Sequence, residues 1–266
     1  MVFRIGTGSW ADPEYKTLLT APGVPPGDRL QAYAAHFNHV EVNATAYRTP
    51  PAKQVDAWVR ATPGDFTFSV KLHQRCSQSP ERAADDEGLV RRIRESIRPL
   101  VEAGRFTCFL LVLPATFRPG KHQLEELTPL GERLAPHPIA VELRHREWVT
   151  PEQRSLTLAF FRTRGLVWVA VDMPQLEEST LLPPVDEVSH PELAYLRCHG
   201  RNAKWPEVKS AAEKHRHDYT APELAELAAR AQTLSRSARV VHVIANNHAA
   251  DFAPKAALAL RRQLIP

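Results

Sequence analysis

The sequence predicts a (β/α)8 barrel of the TIM type, a single domain over residues 1–266. Three observations carry that expectation. Eight short apolar, β-branched or aromatic runs recur along the chain. Helical patterns separate most of them, and composition changes nowhere sharply enough to mark a second domain. An open, doubly wound sheet is the competing arrangement, since alternation of elements does not by itself close a sheet.

FRIGTG (3–8) is the first strand, and a long Pro- and Gly-rich connection, 10–27, leads to a helix at 28–38. That helix sets Leu30, Tyr33, Ala34 and Phe37 at helical spacing. HVEVNAT (39–45) is the second strand, followed by a helix at 51–61. FTFSVKLH (66–73) and FTCFLLVLP (106–114) come next, with helices at 84–103 and 121–135. IAVELRH (139–145) is the fifth strand, after which Thr150 can cap a helix at 151–164 whose first turn suits Pro151. After LVWVAVD (166–172) the pattern fails. Residues 173–192 hold four prolines and little helical period, so the sixth helix is missing or reduced to a loop at the barrel mouth. LAYLRCHG (193–200) with a helix at 221–236, and VVHVIANN (240–247) with a helix at 253–264, complete the set.

Residues two apart in a strand share a face. Ile139, Val141 and Leu143 therefore pack on helices, while Ala140, Glu142 and Arg144 face the barrel interior. The same spacing sets Glu41 with Asn43, Lys71 with His73 and Arg197 with His199, and Asp172 closes the sixth strand. These polar residues stand at carboxyl ends of strands, where barrel enzymes assemble their sites. The expected site uses Glu41, Glu142 and His199 as proton-transfer groups and Lys71, Arg144 and Arg197 as anion contacts. Asn43, Asp172, Asn246 and Asn247 add substrate-binding positions, and Trp10 and Tyr47 line the rim. Gly200 joins them in the basic loop after strand seven, a region that binds phosphate in many barrels.

Two other readings use the same residues. Glu41, Glu142 and Asp172 balance Lys71, Arg144 and Arg197, which would suit a structural plug or a non-catalytic anion-binding pocket. Burying His73, His199, Asn43, Asn246 and Asn247 as well makes a mere plug costly. A metal-dependent phosphodiesterase or isomerase would draw on Glu41, Glu142, Asp172, His199 and His248. No H-E-x-x-H, D-x-D-x-D or cysteine cluster supports it, and cations crowd the best ligands, so neither metal nor cofactor is expected. No G-x-S-x-G elbow, G-x-G-x-x-G or P-loop occurs.

A net charge of +4 allows a small anionic ligand. Nucleic acid is not favoured, because the basic residues form no long block; LVRRIRESIR (89–98) reads as a solvated helix face. Cys76, Cys108 and Cys198 are scattered, which fits reduced thiols in a cytoplasm. The opening MVFRIGTGSW has no basic-then-apolar leader, so neither secretion nor a membrane is expected. Nothing sets the oligomeric state.

The motifs IGTGSW, LQAYAAHFNHVEVNATAYRTP, FTFSVKLH, VELRHREWVTPE, AYLRCHGR and ANNHAADFAPKAA follow one another from residue 5 to residue 257. In this the chain resembles the domain of unknown function 72 family, the YecE-like proteins, over nearly its whole length. The resemblance implies a TIM-type barrel and a cytoplasmic protein, and it implies no reaction. It also implies aromatic residues where Ala46 and Ala245 stand, departures that would widen the pocket or alter stacking.

Overall fold

The computed structural model describes residues 1–12, 15, 24–177, 179–247 and 249–265. Its eight strands are β1 (Val2–Thr7), β2 (His39–Val42), β3 (Thr67–Lys71), β4 (Phe106–Val112), β5 (Ile139–Glu142), β6 (Val167–Asp172), β7 (Leu193–Cys198) and β8 (Val240–Ala245). They run parallel in the order β1-β8-β7-β6-β5-β4-β3-β2 and curl into a nearly closed barrel. The helices are α1 (Arg29–Ala34), α2 (Ala52–Arg60), α3 (Gln74–Gln78), α4 (Pro80–Asp85), α5 (Glu87–Glu102), α6 (Thr128–Leu134), α7 (Arg154–Thr163), α8 (Ala211–Lys214), α9 (Ala221–Ser235) and α10 (Phe252–Leu264).

The strands are shorter at their carboxyl ends than the apolar runs suggest. Past Val42 the second run leaves the ladder for a 3-10 turn at Ala44–Ala46, where Thr45 Oγ1 contacts the carbonyls of Val42 and Lys71 at 2.7 and 2.6 Å. Past Lys71, His73 accepts the Arg75 N–H through Nδ1 at the start of α3, so it caps a helix and does not join a floor. The helix expected at 84–103 is broken at Asp86, whose carboxylate accepts the Leu89 N–H at 2.9 Å and starts α5 afresh.

Among the described residues, 173–192 contain no helix, as the prolines predict. This connection lies beside the strand ends: Leu181 bridges to His145 in antiparallel fashion, and the Leu182 N–H donates to the Arg144 carbonyl at 3.0 Å. Much of the 10–27 connection lies outside the described residues, as does His248. Outward-facing side chains such as Phe68, Phe109, Val141 and Trp168 are fully buried under the helices and connections. Among the described residues no helix is long and apolar enough to cross a membrane.

The strands β1 and β2 meet at the closing seam. Asn38 accepts the Ile5 N–H at 2.8 Å and donates to the Phe3 carbonyl at 2.9 Å, standing in for a ladder. Tyr33 Oη accepts the Thr7 N–H at 2.8 Å and donates to the His39 carbonyl at 3.1 Å. A Cβ on Gly6 would sit 2.0 Å from the His39 carbonyl oxygen, so this approach requires glycine.

Candidate active site

Strand alternation brings Glu41, Glu142, Arg197 and His199 together on the barrel axis, each with 1% exposure or less. Arg197 is the hub. Its Nε donates to Glu41 Oε2 at 2.9 Å and its Nη2 to Glu41 Oε1 at 2.6 Å, while Nη1 bonds Glu142 Oε2. Arg144 Nε donates to the other Glu142 oxygen at 2.9 Å. Burial alone would raise the Glu142 pKa, but Arg197, His199 and Arg144 hold it well below the usual carboxylate range. Glu142 is therefore ionised, and both carboxylates are engaged by Arg197.

Proton counting assigns the histidines. His199 Nε2 lies 3.1 Å from Glu142 Oε2, and Nδ1 lies 3.1 Å from the Asn246 amide nitrogen. Nε2 therefore donates and Nδ1 accepts, which describes a neutral ring. Burial drives the His199 pKa down to about 4, against the pull of Glu142. Asn43 Nδ2 donates to Asn246 Oδ1 at 3.3 Å, and a Cβ on Gly8 would collide with both amides.

Below this floor lies a relay that the sequence reading missed. Tyr195 Oη donates to Glu41 Oε2 at 2.8 Å and contacts Ser69 Oγ at 2.8 Å, which in turn contacts His39 Nε2 at 3.1 Å. Thr67 closes the line on His39 Nδ1 at 2.9 Å. The signal was present, since Tyr195, Arg197 and His199 occupy alternate positions of one strand and its extension.

Above the floor a cavity of about 280 Å³ opens at the strand ends, lined by Tyr47, Lys71, Gln74, Gln78, Val112 and Arg144 among others. Tyr47 stands on its rim, 78% exposed. Ala46 lines the same cavity. Lys71 is partly buried, and among the described residues its ammonium has no hydrogen bond or ion pair. Burial first, then Arg197 and Arg144, take its pKa down to about 8 against the opposing pull of Glu41 and Glu142.

Several predicted positions lie elsewhere. Asp172 follows Trp168 and Ala170 in alternation, so its carboxylate faces the helix layer. There it receives Arg201, Arg230 and the Tyr219 hydroxyl. That sets it apart from Glu41 and Glu142, which meet Arg197 on the barrel interior. The Gly200 N–H donates to Tyr219 Oη at 2.8 Å, and its φ of +91° marks a turn. Asn247 Nδ2 donates to the His217 carbonyl at 2.8 Å, while among the described residues its buried Oδ1 has no hydrogen-bond partner. Trp10 packs edge-on against Trp58 at 5.2 Å and lines a separate cavity of about 470 Å³. Arg197 is buried, and every guanidinium nitrogen meets a carboxylate. Among the described residues no three His, Cys, Asp or Glu side chains group to hold a metal ion.

Fold and site together define a parallel barrel whose strand ends carry a locked carboxylate–arginine floor beneath a basic cavity. The chain belongs to the DUF72 family: the family model described as "Protein of unknown function DUF72" matches residues 4–266. It is 27% identical over 257 residues to UPF0759 protein YunF of Bacillus subtilis (strain 168), covering 92% of this chain and 88% of that protein. It is 34% identical over 168 residues to UPF0759 protein YecE of Escherichia coli (strain K12), covering 61% of this chain and 54% of that one. Among solved structures, a DUF72 family protein from Thermotoga maritima MSB8 shares 29% identity with a TM-score of 0.87 over the whole of both chains. Another from Enterococcus faecalis V583 shares 28% identity with a TM-score of 0.87, covering 99% of this chain and 95% of that one.

Proposed function

We infer that the protein is a barrel enzyme that takes a small phosphorylated or carboxylated substrate into the strand-end cavity. One observation carries this reading: Lys71 and Arg144 line the cavity, and among the described residues no carboxylate pairs with the Lys71 ammonium or the Arg144 terminal nitrogens, while Glu41 and Glu142 are consumed by Arg197 and Arg144 Nε. Arg144 presents a fork suited to an oxyanion, and its anchorage on Glu142 holds that fork in place. The catalytic roles first assigned to Glu41 and Glu142 become structural ones. Both fix the floor, and proton transfer falls to Lys71 and to His199 beneath it.

Phosphate titration tests the reading, with ionic strength matched by chloride. A ligand at 100 times its Kd stabilises the native state by about 2.7 kcal/mol, which corresponds to a rise in melting temperature of several degrees for a chain of this size. Arg144→Gln is expected to abolish most of that rise, and Arg201→Gln, on the other side of the β6 strand, to keep it. A rise that survives Arg144→Gln refutes the assignment. Strong stabilisation by Mn²⁺ with none from phosphate would favour a metal-dependent barrel.

A further inference from the structure

We propose that Lys71 forms an imine with the carbonyl group of an anionic aldehyde or ketone whose charged end Arg144 holds. This deepens the reading above and rests on its cavity. Lys71 is the last residue of β3 and shares the cavity wall with Arg144, so an amine and an anion anchor face one small space. Among the described residues that amine has neither a carboxylate nor a hydrogen-bond partner to hold its proton. The charged groups around it come from three strands. Glu41 lies on β2 and Arg197 on β7, with Glu142 on β5 and Arg144 just past it. Glu41 and Glu142 already pair with Arg197, so their pull on Lys71 is blunted. With its pKa at about 8, Lys71 holds at pH 7.5 roughly two hundredfold more neutral amine than an ordinary lysine. Desolvation beside other cations is a recognised way to activate an amine nucleophile.

The step balances without an oxidant. Lys71 Nζ bonds to the carbonyl carbon, and its two protons leave with the carbonyl oxygen as water. A C=N bond replaces C=O, and a solvent proton on nitrogen gives the iminium. That cation draws electrons from a neighbouring C–H or C–C bond, so proton abstraction or carbon–carbon cleavage next to a carbonyl is the matching reaction class.

Reductive trapping tests the proposal. The purified protein is incubated at pH 7.5 with glyoxylate, a carboxylated aldehyde, and sodium cyanoborohydride as hydride donor. Adducts are then mapped by peptide mass spectrometry, with uncharged propanal in parallel. Lys71 is expected to react before the surface lysines by at least about tenfold, to be protected by phosphate, and to prefer glyoxylate only while Arg144 is present. Lys71→Arg keeps the charge, so it should retain the phosphate-induced rise in melting temperature while losing the adduct. Adducts spread over exposed lysines with Lys71 unmodified overturn the imine even if phosphate stabilises the protein. A Lys71 adduct that forms equally fast with propanal, without any phosphate effect, overturns the anion site and leaves the amine chemistry standing.

Discussion

His199, His242 and His39 are buried in the barrel, and burial is the first cause lowering each pKa. His199 falls to about 4 and His242 to about 3, and His39 lies well below its ordinary value. Among the described residues neither ring nitrogen of His242 has a hydrogen-bond partner; the ring packs on His39 and Tyr195 at 4.2 and 5.0 Å. The sign follows from proton counting. Between about pH 6.5 and 4 the unfolded chain binds protons on these rings that the folded chain refuses. Stability therefore falls as pH falls, by up to about 1.4 kcal/mol per pH unit for each ring. Glu142, held low by its cations, loses its contribution further down and in the same direction. His242→Phe preserves the ring packing and removes one such group. Urea unfolding should find the variant gaining on the wild type between pH 7 and pH 4.5. An equal difference at both pH values would show that His242 does not titrate on unfolding.

The strands were readable because alternation and β-branched runs are local, and all eight appear where the sequence sets them. Their carboxyl ends were not, because side chains rather than ladders finish them: Thr45 closes over two carbonyls, and His73 caps α3. Alternation also set Glu41, Glu142 and Arg197 on the interior face, where they meet one another. Carried one strand further it would have turned Asp172 outward with Trp168 and Ala170. The pairing of Arg197 with both carboxylates joins residues 156 and 55 positions apart, a match of side-chain reach that no local pattern encodes. The seam between β1 and β2 is a second feature of that kind. Tyr33 reaches from α1 to take the Thr7 N–H and give its proton to the His39 carbonyl. Tyr33→Phe leaves that buried N–H without its acceptor, at a cost of about 1–3 kcal/mol. Hydrogen exchange should show Thr7 protection falling more than that of β4 or β5. Uniform loss across all strands would mean that the hydroxyl supports only the global fold.

Across the whole molecule, two charge networks lie on opposite sides of the sheet. Inside, Arg197 joins β2, β5 and β7. Outside, Arg230 of α9 compensates for the helix missing after β6. It donates through Nε and Nη2 to Asp186 at 2.9–3.1 Å, through Nη1 to Asp172 at 3.2 Å, and through Nη2 to the Val171 carbonyl at 2.9 Å. One guanidinium thus fastens the 173–192 connection to β6 and α9, beside the apolar cover of Leu182 and Val185. Arg230→Met leaves Asp172 with Arg201 and Tyr219 but strips Asp186 of these bonds. Asp186 is partly exposed, so the loss falls below the roughly 3–5 kcal/mol of a fully buried pair broken from one side. For a chain of this length each kcal/mol lowers the melting temperature by roughly 2–4 °C, so a fall of several degrees is expected. The phosphate-induced rise should persist in full, because Asp172 and Arg230 face away from the Lys71 and Arg144 cavity. A variant that melts like the wild type yet no longer responds to phosphate would instead return Asp172 and its arginines to the ligand site. The partition of charge between the two faces of the barrel would then be wrong.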